Sequence, residues 1–385
     1  MIALSQIPVR FCPTKDTLDV INNRNWICSY SGGKDSTSVV TWIEWLRRTG
    51  LAKVDKPRLV MSDTEVEYPF ISAIAEGLTA ELTKSGWECM LVRPKIHEKL
   101  YNRIFGIGNT PVHPGSRTRM RWCTRATKMD PMRRFSKTIG DDILMLSGVR
   151  WGESETRDGK LKAGGCSAGG ECGLPDPGEG VFGPIITWRT CKVIEWLSGD
   201  SDGAAELIQD LLPSMRRLIE AYEVVLDDTP TINSTFTGTA APPKVVSAMR
   251  FGCVGCPAIS NEKVTKSKQA KEHPQWVHLR RIYGIWDRLY ANENRCCRIR
   301  SEPSKSGDKG KKWSTAIGYG PLKMAARQEF FAELLEIQRD SGVVLVNADD
   351  EAFIRECWSR SVYPRGWSAA DELVEPPYEP SLLDA

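Results

Sequence analysis

The stretch Asn25–Val40, NWICSYSGGKDSTSVV, decides the fold that the sequence predicts. The apolar run Trp26–Tyr30 is typical of a buried strand, and Trp42, Trp45 and Leu46 follow at helical spacing. The two elements are joined by Ser31, Gly32, Gly33, Lys34, Asp35 and Ser36. Glycines let a backbone close around an anion, and the first N–H groups of a helix lack intrahelical partners. The stretch therefore predicts an anion-binding turn, although a plain glycine turn before a helix is the alternative.

The turn is not a Walker A loop, because Asp35 rather than Ser or Thr follows Gly33-Lys34 and no glycine stands five residues before Gly33. SGGKDS instead resembles the PP-loop, SGGxDS, of the ATP pyrophosphatase family. The resemblance implies that the loop holds the departing pyrophosphate of ATP while AMP is transferred to an acceptor oxygen. The hydroxyls of Ser31, Ser36 and Thr37 would add hydrogen-bond donors.

The composition sets the class of protein. With 385 residues, 41% hydrophobic and 26% charged, we expect a soluble protein of one or two domains. No apolar stretch is long enough to span a bilayer and no secretory signal begins the chain, so we expect no membrane partner and a cytoplasmic location. Twelve cysteines in such a chain indicate metal binding or sulfur chemistry rather than a disulfide framework.

The strands and helices that follow predict an α/β fold with a doubly wound parallel sheet. Strands are expected at Pro57–Met61 and Glu88–Val92, with a helix at Ile71–Ser85 between them. Because ligands bind beyond the carboxyl ends of such strands, Asp63 is expected at the same edge as the loop. The glycine- and proline-containing segment Asn102–Arg119 predicts a mobile loop over the site.

Further strands are expected at Ile143–Ser147 and Ile185–Trp188, with a helix over Cys191–Leu197. Arg150 follows the first of these strands, where a guanidinium could bind phosphate with two hydrogen bonds. A merely structural pair between Arg150 and Glu153 is the alternative.

The chain is expected to have four parts. These are a nucleotide-binding domain over 1–225 with a Gly/Cys-rich insertion at 158–183, a linker at 226–244, a mostly helical region at 245–345, and an acidic tail at 346–385.

The helical region begins with a CxxC motif, Cys253-Val254-Gly255-Cys256, which allows two thiolates to converge on one metal. The CxxC pair supplies only two ligands, so further side chains must complete the coordination of the metal. Candidates are Cys123, Cys172, Cys166, Cys296 and Cys297. We expect Cys123 at the catalytic edge, which favours an iron–sulfur cluster over a remote zinc site, and a redox dithiol is a third possibility.

Charge is segregated along the chain. Arg93–Arg150 holds 13 Lys/Arg against 4 Asp/Glu, Lys263–Lys312 holds 14 against 5, and Asp349–Ala385 holds 3 against 9. Basic segments interleaved with Trp122, Trp276, Trp286 and Trp313 are typical of a surface that binds phosphates and stacks on bases. Solvated lysines on helix faces are the alternative.

Several motifs together resemble the PAPS-reductase-like family, and within it the DndC-type sulfurtransferases of DNA phosphorothioation. They are SGGKDS, SDTEVEYP (62–69), RWCTRATKMDP (121–131), GVRWGES (148–154) and RFGCVGCP (250–257). The resemblance covers most of residues 25–340 and implies an adenine nucleotide alpha hydrolase-like fold, a [4Fe–4S]-type cluster and hydrolysis of ATP to AMP and pyrophosphate. It also implies a cysteine desulfurase as sulfur donor, DNA as acceptor and other phosphorothioation proteins as partners.

The expected roles follow from the loop chemistry and the resemblance together. Lys34, Asp35 and Arg150 are expected to be catalytic, and Mg²⁺ is expected to bind with Asp35 or Asp63. The nucleotide and Mg²⁺ contacts are assigned to Ser31, Gly32, Gly33, Ser36, Thr37 and Asp63. The cluster ligands are assigned to Cys123, Cys253, Cys256 and Cys172.

Three other functions stay open at the level of sequence. A PAPS or APS reductase needs a reactive cysteine in a carboxyl-terminal ECG-like motif, whereas the last cysteine here is Cys357 and the only ECG is Glu171-Cys172-Gly173. A tRNA-thiolating enzyme would share the loop. A nucleotide-sensing module without catalysis, within a defence complex, is the third.

Overall fold

The computed structural model describes residues 11–113, 121–140, 142–151, 180–199, 204–223, 253–258, 271–303 and 313–374. The predicted linker at 226–244 and most of the predicted insertion at 158–183, with Cys166 and Cys172, lie outside the described residues. Glu153, the alternative partner of Arg150, also lies outside them.

The first part of the chain alternates strands and helices. The elements are α1 (Lys15–Asn23), β1 (Trp26–Tyr30), α2 (Lys34–Thr49), β2 (Arg58–Ser62), α3 (Pro69–Lys84), β3 (Glu88–Val92), α4 (Asp130–Ile139), β4 (Leu144–Leu146), β5 (Val181–Phe182), α5 (Thr190–Ser198) and α6 (Leu212–Glu223). The predicted strands at β1 and β3 are confirmed to the residue, and those at β2 and β4 are confirmed with small shifts at their ends.

These strands form one parallel sheet in the order β3-β2-β1-β4-β5. Tyr30 of β1 pairs with Met61 of β2, and Trp26 of β1 pairs with Leu144 of β4. The chain therefore leaves β1 toward one side of the sheet and later returns to its other side. A ligand crevice forms at such a switch point, beyond the carboxyl ends of the strands. The turn that follows β1 opens at this point, as the α/β prediction requires.

Aromatic packing fixes α2, the helix that begins at the loop. Trp42 lies against Trp188 with ring centroids 5.4 Å apart, and Phe11 lies against Trp196 at 5.1 Å. The Trp42 indole N–H donates to the Phe11 carbonyl at 2.9 Å, so the polar atom of this buried ring is satisfied. Burying the Trp42 ring stabilises the packing of α2 by about 1.5–3 kcal/mol and anchors the middle of the helix in the core.

Two predicted elements are wrong. Residues 102–107 do not form a mobile loop but a π-helix, Asn102–Ile107, whose Ile104 and Phe105 side chains are fully buried. The predicted strand at 185–188 is a turn instead, and the strand lies earlier, at β5. Ile185 and Trp188 are buried nevertheless, so their apolar character reflects the core and not strand pairing.

The chain divides into two compact units. The first takes the described residues within Met1–Arg93, Lys128–Cys253 and Lys266–His273, and the second takes those within Pro94–Thr127, Val254–Thr265 and Pro274–Ala385. This division differs from the predicted one, because residues 94–127 lie within the expected first domain yet belong to the second unit.

The described residues of the second unit are mostly helical, as predicted for 245–345, and they also include an antiparallel hairpin that was not predicted. Its elements are α7 (Arg281–Tyr290), β6 (Arg295–Pro303), β7 (Trp313–Leu322), α8 (Met324–Ser341) and α9 (Ala348–Ser359). The start of the predicted acidic tail is α9, which packs on the π-helix. Buried Asp350 accepts a hydrogen bond from the Asn102 amide at 2.8 Å and pairs with Lys99 at 3.0 Å.

No helix in the described part of the chain is both long and apolar enough to cross a membrane.

Candidate active site

The turn between β1 and α2 has the backbone that its glycines predict. Gly32 has a φ of +69°, in the left-handed region that residues with a Cβ rarely adopt. Gly33 is the N-cap residue of α2 and supplies no side chain to satisfy the first N–H groups of the helix. Those N–H groups are therefore directed to whatever binds in front of the turn, and the helix dipole favours an anion there.

Ser31 and Ser36 brace the turn from inside. The Ser36 hydroxyl donates to the Gly33 carbonyl at 3.0 Å, accepts from the Ser31 N–H at 3.2 Å, and lies 3.1 Å from the Ser31 hydroxyl. Ser36 is buried. Its hydroxyl therefore holds the shape of the turn in the described structure, and its direct contact with phosphate stays a prediction.

Gly148, just beyond β4, allows a second backbone to approach the start of α2. A Cβ at this position would lie 2.7 Å from both the Asp35 carbonyl carbon and the Ser36 nitrogen, closer than real Cβ contacts. Only glycine fits without displacing the helix terminus. Its place in the GVRWGES motif was the available sequence signal, but its role was not predicted.

Asp35 joins the two cationic side chains of the site. Its Oδ1 accepts a hydrogen bond from Arg150 Nε at 2.7 Å, and its Oδ2 pairs with Lys34 Nζ at 2.7 Å. The Arg150 side chain is only 3% exposed, and its Nη1 also donates to the Trp188 carbonyl at 3.0 Å. Lys34, Asp35 and Arg150, the three predicted catalytic residues, are thus brought together by β1, α2 and the end of β4.

Tyr222 of α6 lies beside the turn. The Lys34 ammonium is 5.8 Å from the centre of the Tyr222 ring, and the Tyr222 hydroxyl lies 3.9 Å from a Cβ built at Gly33. No sequence motif pointed to this tyrosine, since tertiary packing of α6 against α5, α3 and α2 is what brings it to the site.

Asp63 follows β2 at the predicted edge of the sheet. Its Oδ1 accepts the Glu65 N–H at 2.8 Å and its Oδ2 accepts Arg93 Nε at 2.9 Å. Nearby Glu67 accepts the Thr64 hydroxyl at 2.6 Å, and burial, with a smaller contribution from the Asp63 charge, raises the pKa of Glu67. This edge of the sheet therefore carries two neighbouring carboxylates, Asp63 and Glu67.

Thr37 is fully buried in α2, with its hydroxyl beside that of Tyr30. Burial, followed by smaller effects of neighbouring groups, raises the pKa of Tyr30, so this phenol is neutral at physiological pH. The predicted contact between Thr37 and a phosphate stays a prediction.

Cys123 and Cys256 both belong to the second unit, where they interact electrostatically. Burial, and to a lesser degree the charge of Cys256, raises the pKa of Cys123. A thiol of this kind is a poor nucleophile on its own, whereas a bound cation would deprotonate it. Metal binding that includes Cys123 and Cys256, and the alternative of a redox dithiol at Cys253 and Cys256, both stay predictions.

Two aromatic donors hold the backbone beside Cys256. The Tyr101 hydroxyl donates to the Val254 carbonyl at 3.2 Å, and the Trp286 indole N–H donates to the Gly255 carbonyl at 2.7 Å. The Tyr290 hydroxyl donates to the Val112 carbonyl at 2.6 Å and lies 3.4 Å from the Pro257 carbonyl. Gly255 has a φ of +59°, and a Cβ there would lie 2.6 Å from Ile282. The Val-Gly spacer is therefore required by the packing.

The predicted cluster ligands are only partly tested. Among the described residues, no three His, Cys, Asp or Glu side chains are grouped so that they could hold a metal ion. Cys253 stands three residues before Cys256, and Cys172 lies outside the described part of the chain. Cys296 and Cys297 are buried in β6, and the Cys297 thiol donates to the Val374 carbonyl at 2.8 Å. The predicted ligand set therefore stays a prediction.

Two of the tryptophans that were predicted to stack on bases, Trp276 and Trp286, are buried in the second unit. They therefore do not contribute to a nucleic-acid surface. Several cations of the Lys263–Lys312 segment are paired with carboxylates. The pairs are Arg281 with Asp340 at 2.6 Å, Arg288 with Glu333 at 2.5 Å, and Arg298 with Asp371 at 2.5 Å. Part of this positive charge is therefore neutralised within the chain.

Comparison with known proteins gives limited information. No protein-family model and no curated protein sequence matches the chain. A phosphate complex of phosphoadenylyl-sulfate (PAPS) reductase from Candida auris is similar over 50% of this chain and 82% of its own, with 15% identity and a TM-score of 0.32. A similarity at that TM-score supports no statement about function. The function proposed below therefore rests on the geometry of the site.

Proposed function

We propose that the chain is an ATP pyrophosphatase that adenylates an acceptor oxygen and thereby prepares it for replacement by sulfur. The observation that carries the proposal is the Lys34–Asp35–Arg150 arrangement in front of the α2 N-terminus, at the switch point of a parallel sheet. Two cations and a row of backbone N–H groups suit a polyphosphate.

Asp35 keeps the site neutralised before nucleotide arrives. Its carboxylate pairs with both Lys34 and Arg150, so neither cation is left without a counter-charge in a partly enclosed site. An incoming polyphosphate competes with Asp35 for the same cations. Lys34 is the more mobile of the two, since Arg150 is also held by the Trp188 carbonyl. Lys34 would then move to the phosphates while Arg150 stays in place.

Asp35 and Asp63 would hold Mg²⁺. Each carboxylate accepts two hydrogen bonds or ion pairs from described residues, and a carboxylate has about four acceptor positions, so both retain capacity for a cation. Bound Mg²⁺ would neutralise charge on the β- and γ-phosphates. Arg150 would stabilise the charge that develops on the departing pyrophosphate, as a donor fixed in place before the reaction does.

The acceptor is proposed to be a backbone oxygen of DNA, supported by the surplus of basic residues and by the sequence resemblance described above. Attack of that oxygen on the α-phosphorus forms the acceptor–adenylate and releases pyrophosphate. A persulfide formed by a cysteine desulfurase would then attack the activated phosphorus, with AMP leaving together with the replaced oxygen. A thiol would reduce the resulting S–S bond, so that the sulfur stays on phosphorus. Cys123, Cys253 and Cys256 would hold an iron–sulfur cluster, whose chemistry would be sulfur delivery.

A reductase of the PAPS type is less well supported. It requires an accessible nucleophilic cysteine near the carboxyl terminus. Cys357 is 5% exposed in α9, and burial is the main reason that its pKa is raised. Such a thiol is inert at neutral pH.

The proposal is tested by trapping the adenylate in the absence of a sulfur donor. Anaerobically purified protein is incubated with Mg²⁺, α-³²P-labelled ATP and either a DNA oligonucleotide or tRNA. The expected result is label that migrates with DNA and is released as AMP by a thiol nucleophile. Label on tRNA alone would favour the tRNA-thiolating alternative, and nucleotide binding without any label transfer would favour a sensing module.

A further inference from the structure

A cavity at the opposite edge of the sheet has a composition that the nucleotide site does not explain. It has a volume of about 250 Å³ and lies where β1 and β2 begin. Four cationic side chains, Arg24, Lys53, Lys56 and Arg58, line it with a single carboxylate, Asp55. We propose that this cavity is a second anion site, which binds a phosphate group on the edge away from the nucleotide loop.

The walls of the cavity are held in place. The Asn22 side chain bridges α1 and the segment after α2, since it donates to the Leu51 carbonyl at 3.2 Å and accepts the Lys53 N–H at 2.7 Å. Buried Trp26 donates from its indole to the Ile21 carbonyl at 2.9 Å, which fixes the start of β1. An anion would therefore meet a surface that is already formed.

Arg58 is oriented toward the cavity by its own hydrogen bonds. Its Nη2 donates to the Asn25 side chain and, at 3.1 Å, to the Trp26 carbonyl. Among described residues its Nε and Nη1 have no hydrogen-bond partner, so the N–H groups of these two nitrogens are left for a ligand. Each can donate a charge-assisted hydrogen bond to an anion.

The cations of the cavity are not neutralised within the described part of the chain. None of Arg24, Lys53, Lys56 and Arg58 forms an ion pair there, unlike the arginines of the second unit described above. Two helices, α1 and α2, end at this edge, and a cation near the C-terminus of a helix interacts favourably with the helix dipole. That effect accounts for Arg24 and Lys53, which follow the helix ends, but not for Lys56 and Arg58.

The volume of the cavity limits the size of the ligand that it can hold. Its volume of about 250 Å³ lies below the roughly 300–1,000 Å³ of a typical small-molecule pocket, so a single phosphate group fits better than a whole nucleotide. The phosphate could be a free anion or one group of a nucleic-acid backbone. Both sources share the chemistry that the four cations recognise.

The proposal is tested by lysine footprinting on the full chain. Lysines are labelled briefly with acetic anhydride in chloride buffer, in inorganic phosphate or with a single-stranded oligonucleotide, all at one ionic strength, and are quantified by mass spectrometry. Labelling of Lys53 and Lys56 should fall at least threefold. Lys84, whose side chain is 71% exposed on α3, serves as the internal control and should not change.

The two sources of phosphate are distinguished by the two arms. Protection by inorganic phosphate supports a small-anion site, and protection by the oligonucleotide alone supports a backbone contact. No protection in either arm, or equal protection of Lys84, would overturn the proposal. A Lys53→Gln/Lys56→Gln variant should weaken binding of the protecting ligand at least fivefold, whereas the charge-matched Lys15→Gln/Lys84→Gln variant should not.

Discussion

Asp35 and Arg150 are 115 residues apart in sequence, yet Asp35 Oδ1 accepts a hydrogen bond from Arg150 Nε at 2.7 Å. The contact links the start of α2 to the end of β4 across the switch point of the sheet. It gives a buried guanidinium a counter-charge beside the N-terminus of α2, where the proposed function places the phosphates of a nucleotide.

Replacing Arg150 with lysine should lower the rate of pyrophosphate release about 10²–10³-fold, because one preorganised donor to the leaving group is lost. The lysine keeps the charge but cannot reach both Asp35 and the Trp188 carbonyl with a planar fork. The measurement is a coupled pyrophosphate assay at saturating ATP. Arg133→Lys, a change at an exposed arginine of α4, is the control and should leave the rate unchanged. An Arg150→Lys enzyme with the wild-type rate would remove Arg150 from the proposed mechanism.

Gly148→Ala should abolish nucleotide binding while the rest of the fold is retained. The added Cβ would lie 2.7 Å from the backbone of Asp35 and Ser36, so the helix terminus that faces the phosphates must move. Isothermal titration with ATP measures the loss. Gly284→Ala is the matched control, since nothing lies within 4 Å of that position in α7 and alanine favours a helix by up to about 1 kcal/mol. Unchanged ATP affinity in Gly148→Ala would show that the approach of the two backbones has no bearing on the site.

Cys256→Ser and Cys123→Ser should each lower the iron and sulfide content of anaerobically purified protein by at least half. Both thiols belong to one cluster in the proposal, so losing either removes a ligand. Iron, sulfide and zinc are measured by elemental analysis together with the visible absorption spectrum. Cys191→Ser changes an exposed cysteine and should retain the full content. A colourless protein with stoichiometric zinc would contradict the cluster.

The ionisation of Glu44 should make the free energy of unfolding depend on pH in the acidic range. This fully buried carboxylate of α2 accepts hydrogen bonds from Arg47 and Arg48 at 2.8 and 2.6 Å. Burial alone would raise the pKa of Glu44, but the hydrogen bonds from Arg47, Trp87 and Arg48 outweigh it, so the net pKa lies below its usual 4.5. The stabilisation is therefore complete above pH 4.5 and is lost as the pH falls through the lower pKa of the folded state.

Glu44→Gln should consequently destabilise the protein by about 3 kcal/mol at pH 7, because two arginines lose a buried counter-charge. The difference from wild type should shrink as the pH is lowered below 4.5, where the wild-type carboxyl becomes protonated. Urea unfolding at a series of pH values measures this difference. Glu81→Gln, which breaks only a surface pair with Lys84, should cost less than about 1 kcal/mol. A difference that stays constant from pH 7 to pH 3 would contradict the prediction.

Much of the candidate site could be predicted because its residues are contiguous or follow strands. The glycine turn needs only local backbone rules, and Arg150 follows a strand whose neighbours were recognised by their apolar runs. The partner of Arg150 was not predicted. Glu153 was the sequence neighbour considered, whereas the structure pairs Arg150 with Asp35 across the sheet.

The second unit was less predictable because its apolar residues serve tertiary packing. Trp276 and Trp286 are interleaved with basic residues in sequence, which favoured a nucleic-acid surface, but both rings are buried. Ile104 and Phe105 lie beside glycines that suggested a loop, yet they form the core face of a π-helix. Burial depends on contacts between residues that are distant in sequence. The local glycine and proline signals therefore gave the wrong prediction in this unit.

The central claim is tested most directly by the products that the protein forms from ATP. α- and γ-³²P-labelled ATP are incubated separately with Mg²⁺ and protein, and the labelled products are resolved by thin-layer chromatography. The account predicts that α-label appears in AMP or its acceptor conjugate and γ-label in pyrophosphate, in equal amounts, and that Asp35→Asn abolishes both. ADP and orthophosphate as products, or AMP formation that persists unchanged in Asp35→Asn, would contradict it.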